Sequence, residues 1–400
     1  MTGSSQTVAA PSSKRNVLNS KRALWVSSPL WALEPLVALL LYFWTGWEWT
    51  LALPLIMGYI IVPLVDLWIG EDHSNVDDAA LDAMQDDPFF KYLTYLTVPA
   101  HYITFFVLAW FIGTQEVSPL AWLIVAITAG GLNGLAINTA HELGHKTSRT
   151  ERVLARILLA LPGYGHFSVE HNLGHHRDVA TPEDVASSRM GESIYRFMLR
   201  ELPGALQRGW QAEKQRLLRI GKPVWSYHNQ ILQSYALSAV IYAGLIVLFG
   251  LMMLPFLIIQ CFWAWFQLTS ANYIEHYGLL REKTAKGNYE SCKPHHSWNA
   301  NSVLSNMLLF QLERHSDHHA HPTRRYQSLR NFEGIPQLPT GYFGMYTLAY
   351  VPWLWFKVMD KRLLAVPHIN GDLSKVNIDP ARRQTLIARY GEDRAVAAAS

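Results

Sequence analysis

The chain has 400 residues; half are apolar, 12% are aromatic and only 16% are charged, with a formal net charge of +3. Soluble domains carry about 25% charged residues, so this composition excludes an ordinary set of soluble domains and points to a membrane protein. The near balance of charge gives no reason to expect nucleic acid as a partner, and two cysteines, Cys261 and Cys292, exclude a disulfide framework and an iron–sulfur domain.

Residues 1–22 read as a serine-rich disordered arm without a cleavable signal pattern, so the first span is expected to act as the insertion signal. Lys and Arg are absent from 23–90, 92–140 and 231–278. These gaps hold six segments of the length that crosses a hydrocarbon core: 29–47, 50–69, 92–112, 119–140, 231–251 and 252–272. The last two are continuous, and Gly250 and Pro255 mark the expected reversal between them. Glu34 and Asp66 fall inside the first two spans and are expected to cap or bridge helices near the interfaces. Trp25, Trp47, Trp68 and Tyr92 lie near span ends, as in an interfacial aromatic belt. Four positive residues precede the first span, Lys91 follows the second, 13 lie in 141–230 and 16 after 278, whereas the loops around Gly46, Gly113 and Gly250 have none. The positive-inside rule then places both termini and every histidine cluster in the cytoplasm. The expected architecture is an all-α integral membrane protein: six transmembrane helices and a cytoplasmic, histidine-rich helical cap within 23–392, then a short tail, 393–400.

The clusters HELGH (141–145), EHNLGHH (170–176), EHYG (275–278) and RHSDHH (314–319) carry nine imidazoles: His141, His145, His171, His175, His176, His276, His315, His318 and His319. A transition metal rarely takes more than about six donors, so two metals are implied. His141/His145 and His171/His175 are four apart, and His315/His318/His319 three and four apart, so each set is expected to share one helix face. Imidazole suits zinc, copper, iron and nickel, which leaves the metal open. HExxH alone also fits a zinc protease, but such a site closes with one further ligand, and here seven more histidines follow. A metal transporter would place its ligands at mid-bilayer, whereas these sit past the span ends.

Ligating histidines give their second N–H to a carboxylate or carbonyl. Of the interleaved acids Glu142, Glu170, Asp178, Glu183, Asp184, Glu275 and Asp317, the four inside the clusters, Glu142, Glu170, Glu275 and Asp317, are the preferred partners. His101, in mid-span, either lines a cavity or bonds a neighbouring helix, and His166, His295 and His296 read as hydrogen-bonding support.

The strings NTAHELGHK (138–146), EHNLGHHRDVATPEDVASSRMGE (170–192), SANYIEHYGLLR (270–281) and LERHSDHHAHPTRRYQSLR (312–330) resemble the histidine boxes of the membrane-bound alkane 1-monooxygenase family, a branch of the membrane fatty-acid desaturase/hydroxylase superfamily. GYGHF (163–167), KPHHSWNAN (293–301) and LPTGY (338–342) extend the likeness over roughly residues 25–391. The resemblance implies two non-haem irons held by the nine histidines, with no bound flavin or NAD. It implies hydroxylation of the terminal methyl of medium-chain n-alkanes by O2, with rubredoxin and its reductase as a separate electron source. It also implies a bacterial inner-membrane location. A substrate tunnel is expected beside Gly58, His101 and Gly134, and a docking face for an acidic donor at Arg314, Arg324, Arg325 and Arg330. A fatty-acyl desaturase, or a hydroxylase of the xylene monooxygenase kind, is the competing reading.

Overall fold

The computed structural model describes residues 22–397; most of the amino-terminal arm and residues 398–400 lie outside the described residues. Among them no strand forms, and the few isolated bridges, such as Leu279 with Val376 and Asn299 with Gln337, tie loops together. Five helices are long and apolar enough to cross a membrane, six if a bent pair counts as one span.

The bent pair covers the segment expected as the first span. Arg22–Trp31 meets α1 (Glu34–Thr45) at 57°, where Pro35 in the first turn of α1 starts a new helix rather than continuing the old one. Gly46, at φ 72°, closes α1 by donating its N–H to the Tyr42 carbonyl. The second span, α2 (Glu48–Ile69), passes through 3-10, α and π turns. Pro63 has no N–H for the Tyr59 carbonyl, and the wide turn Met57–Ile61 just before it absorbs the mismatch.

Helix α3 (Pro88–Thr114) starts where the Asp87 carboxylate accepts from the Phe89 N–H at 2.9 Å. Helix α4 (Pro119–Gly144) continues past the expected end at 140 and carries His141 out of the apolar zone on an unbroken helix. After α5 (Arg149–Ala160), a helical stretch over 167–178 and α6 (Ile194–Arg219), the chain returns through α7 (Gln230–Phe249). The reversal into α8 (Met253–His276) is made by Gly250 at φ 84° alone. Pro255, also expected there, sits in the first turn of α8, where its missing N–H has no helical acceptor to disappoint.

Helices α4 and α8 are the scaffold. They approach closely because Gly130 and Gly134 face Trp263 and Gln267 across the contact, and the Asn133 amide donates to Gln260 Oε1 at 2.6 Å inside it. On the bundle exterior Leu67, Trp68, Val247 and Leu248 are exposed, an apolar surface suited to lipid. Past the ends of α4 and α8 a second core forms around Tyr273, Tyr277, Trp298, Tyr342 and Trp355. It packs α9 (Val303–Leu308), α10 (His315–Ala320), α11 (Tyr342–Ala349) and α12 (Pro352–Leu364) against the span ends. Asp66, at the end of α2, caps α9 by accepting from the Leu304 and Ser305 N–H groups at 3.0 and 3.2 Å. The last helix, α13 (Arg383–Ala397), runs into the segment read from sequence as a tail.

Candidate metal centre

The nine histidines converge from four elements into two adjacent groups. His141, His145, His171, His176 and His318 form one; His175, His276, His315 and His319 form the other. Within each, the nitrogens lie within 4.8 Å of one another. The groups share a wall, with His176 and His319 ring centroids 4.4 Å apart and His171 and His175 5.0 Å apart.

Helical spacing anticipates this division only in part. His141/His145 and His315/His319, each pair four apart, do fall in the same group. His171/His175 do not, because residues 171–175 form a π turn. A π turn closes i to i+5, so His171 shares its face with His176, and His175 is rotated into the second group. His318 likewise parts from its neighbours on α10 and faces the first group, with its ring centroid 4.4 Å from that of His141.

The donor set fits a pair of cations. His176 Nε2 lies 3.1 Å from His171 Nε2 and 3.2 Å from His318 Nε2; His315 Nε2 lies 3.2 Å from His276 Nε2 and 2.9 Å from His319 Nε2. A neutral ring nitrogen has one proton or one lone pair, so His176 Nε2 and His315 Nε2 cannot each fully satisfy two facing nitrogens, an arrangement a metal ion relieves. Nε2 of His141, His145 and His175 is buried with no hydrogen-bond partner. Burial and neighbouring imidazoles hold His145, His171, His176, His315, His318 and His319 well below the ordinary histidine pKa, so these rings are neutral at pH 7 with lone pairs free to ligate.

His175 runs the other way. Burial opposes its charge, but the Asp184 carboxylate, 2.9 Å from Nδ1, together with Glu170 and Glu275 outweighs that and raises its pKa. Ser187 also donates to Asp184, at 2.7 Å. The four preferred carboxylates stand differently. Glu142 pairs with Lys146 at 3.0 Å, Glu170 with Arg208 at 3.0 Å, and Asp317 with Arg324 at 2.5 Å. Glu275 instead approaches a ligand ring, its Oε2 lying 3.3 Å from His315 Nε2. Asp184 carries no spacing signal. The fold over 178–187 returns it to the ring nine residues earlier, which only a folded loop can do. His276 is oriented by the backbone instead, its Nδ1 3.4 Å from the His296 carbonyl.

The arginines expected to form a docking face are largely committed inside the protein. Arg314 is 6% exposed and donates to the carbonyls of Leu329, Asp72 and Ser74, while Arg324 binds Asp317 and Arg325 binds Glu151. Basic residues beside a histidine box look like surface in the sequence, but here they hold the box together.

A cleft opens between α1, α2, α4, α8 and α11 and ends on His141, His171, His315 and Glu275. Its walls include Leu55, Gly58, Leu132, Gly134, Leu135 and Phe343. Gly58 and Gly131 leave real space, since a Cβ on Gly58 meets nothing nearer than Phe343 at 4.0 Å and one on Gly131 meets nothing. Gly134 lines the cleft but is held by packing, with Gln267 Cβ 2.8 Å from its would-be Cβ. His101 is buried in α3 with Nδ1 unpartnered and does not line the cleft.

Membrane-length helices around paired histidine groups that could hold metal ions define the class of protein. Residues 116–349 match the family model described as fatty acid desaturase. The chain is 52% identical over 375 residues to alkane 1-monooxygenase 1 of Alcanivorax borkumensis, covering 94% of this chain and 92% of the relative. It is 50% identical over 381 residues to alkane 1-monooxygenase of Ectopseudomonas oleovorans, covering 94% of each. A more distant relative, the xylene/toluene monooxygenase hydroxylase component of Pseudomonas putida, is 28% identical over 70% of this chain and 75% of its own length. The chain belongs to the alkane 1-monooxygenase family, a group of oxidoreductases.

Proposed function

We propose that this protein hydroxylates the terminal methyl of medium-chain n-alkanes, using O2, two electrons and two protons to give a 1-alkanol and water. The observation that carries this reading is a largely apolar cleft between membrane-length helices that ends on both histidine groups. An alkane partitions into lipid and offers no polar handle, so only shape can orient it. Leu132, Leu135 and Phe343 would align the chain, and the space at Gly58 and Gly131 would take its length.

Two irons are the proposed occupants, one in each histidine group, and would supply dioxygen activation there. Asp184 holds His175 in orientation, and the His296 carbonyl does the same for His276. Glu275 has one oxygen near His315 and the other, Oε1, buried without a partner at the cleft end, where it is placed to hold or pass a proton. Because the chain has no C-x-x-C pair and no flavin or nicotinamide fingerprint, electrons are proposed to come from separate rubredoxin and its reductase. With Arg314, Arg324 and Arg325 tied to internal partners, rubredoxin docking is proposed without an arginine assignment. Both termini and the histidine groups are proposed to face the cytoplasm of a bacterial inner membrane, from the one-sided Lys and Arg distribution.

The test is turnover of octane by purified protein with iron, rubredoxin and its reductase, with products identified by mass spectrometry. 1-Octanol supports the reading. An olefin without alcohol, from octane or a fatty acyl substrate, would move the protein to desaturation, the chemistry named by the matched family model. Gly58→Phe fills open space in the cleft wall and is expected to lower turnover of longer alkanes roughly tenfold relative to shorter ones. An unchanged chain-length profile would remove Gly58 from the tunnel.

A further inference from the structure

Outside the two histidine groups, a third set of ligand side chains lies beyond the end of α8. Glu290, His295 and His296 each offer a ligand atom, all within 4.8 Å of one another. The short turn Pro294–His296 puts the adjacent rings 4.3 Å apart, and His368, from the segment after α12, brings its ring within 4.4 Å of His295 and 6.4 Å of His296. His368 Nε2 is buried with no hydrogen-bond partner. We propose that Glu290, His295, His296 and His368 form a third, peripheral site for a divalent transition-metal ion, with Zn2+ the best match to imidazoles plus one carboxylate.

Zinc accepts His nitrogen and carboxylate oxygen in a four-coordinate shell, and imidazoles with a single carboxylate leave one net positive charge, tolerable where the site reaches solvent. Burial pushes His368 down to about 4 and also lowers His295, so both rings are neutral at pH 7 and free to ligate. Two local contacts compete with the metal. Glu290 Oε2 accepts from Lys293 Nζ, and His296 Nδ1 accepts the Lys293 N–H at 3.0 Å, which leaves the ring proton on Nε2, 3.3 Å from Glu290 Oε1. Ligation through Nε2 has to move that proton to Nδ1 and break the hydrogen bond from the Lys293 N–H. The site is therefore weaker and more exchangeable than the nine-histidine centre, which offers four or five imidazoles in each group.

The full-length protein with its tightly held metal in place is titrated with Zn2+ by equilibrium dialysis, and bound metal is counted by mass spectrometry. Wild type is expected to take up one exchangeable Zn2+ beyond its tight complement. Glu290→Gln and His295→Ala should each weaken that uptake at least tenfold while the tight complement stays unchanged. Glu290→Gln also loosens Lys293, so His368→Ala, whose Nε2 has no partner to lose, provides a variant with little structural risk and the same expected loss. No extra Zn2+ in wild type, or equal uptake in the variants, overturns the site.

Discussion

At the scale of single residues, the two histidine groups differ in redundancy. His276→Ala leaves three imidazoles in its group, whereas His318→Ala leaves four in the other. His276→Ala is therefore expected to lose close to half of the tightly held metal and all hydroxylation, with His318→Ala keeping more metal. Full metal content and turnover in both would mean that these rings are not ligands. Asp184→Asn keeps the shape but gives the His175 Nδ1 a neutral partner in place of a carboxylate. Loss of such a partner costs roughly 10–100-fold in metal affinity, read by competition with a chelator. An affinity equal to wild type would leave Asp184 with a purely structural task through Ser187 and the Ala186 N–H. The nine rings were legible as residue types near span ends. Asp184 was passed over in favour of the four acids inside the clusters, because a hydrogen bond across a folded loop leaves no periodic mark.

At the scale of elements, two departures from ideal helices position the site. The π turn over 171–175 changes which histidines share a face, and spacing read at 3.6 residues per turn assigns them wrongly. The close contact of α4 with α8 sets the height at which His141 and His276 emerge. A Cβ at Gly130 would stand 2.5 Å from Trp263 Cβ and 2.9 Å from the Gln260 carbonyl, so Gly130→Ala should destabilise by about 1–3 kcal/mol. Gly131, one residue on, has open space, and Gly131→Ala should be neutral or gain up to about 1 kcal/mol from helix propensity. Thermal unfolding of the two variants in the same detergent separates them; equal midpoints would show that α4 and α8 are not held by this contact. Glycines in a membrane-length helix suggest close packing or a tunnel equally well in the sequence, and only the neighbour across the interface tells them apart.

At the scale of the whole molecule, buried neutral imidazoles make stability depend on pH. His166, whose Nδ1 lies 2.8 Å from the Tyr235 hydroxyl, is pushed by burial down to about 4. Unfolded histidine titrates near 6.5, so between about 6.5 and 4 the unfolded chain binds the proton first and folding weakens as pH falls. The stabilisation is complete above about 6.5, and roughly 3 kcal/mol of it has been lost once pH drops below the folded value. His166→Gln should flatten this slope in melting temperature between pH 7.5 and pH 4.5, relative to wild type. An unaltered slope would show that His166 is solvated.

Hydrophobic length and charge distribution are local sums along the chain, so the sequence by itself determined the spans and the class of ligand at their ends. It also carried the family through contiguous strings. The division of nine histidines into five and four, the bend at the segment expected as the first span, the burial of Arg314 and the ion pairs that hold Arg324 and Arg325 came from the tertiary structure. Each depends on which side chain stands opposite another across distant segments. Turn geometry and packing fix those pairings only when the whole chain is folded.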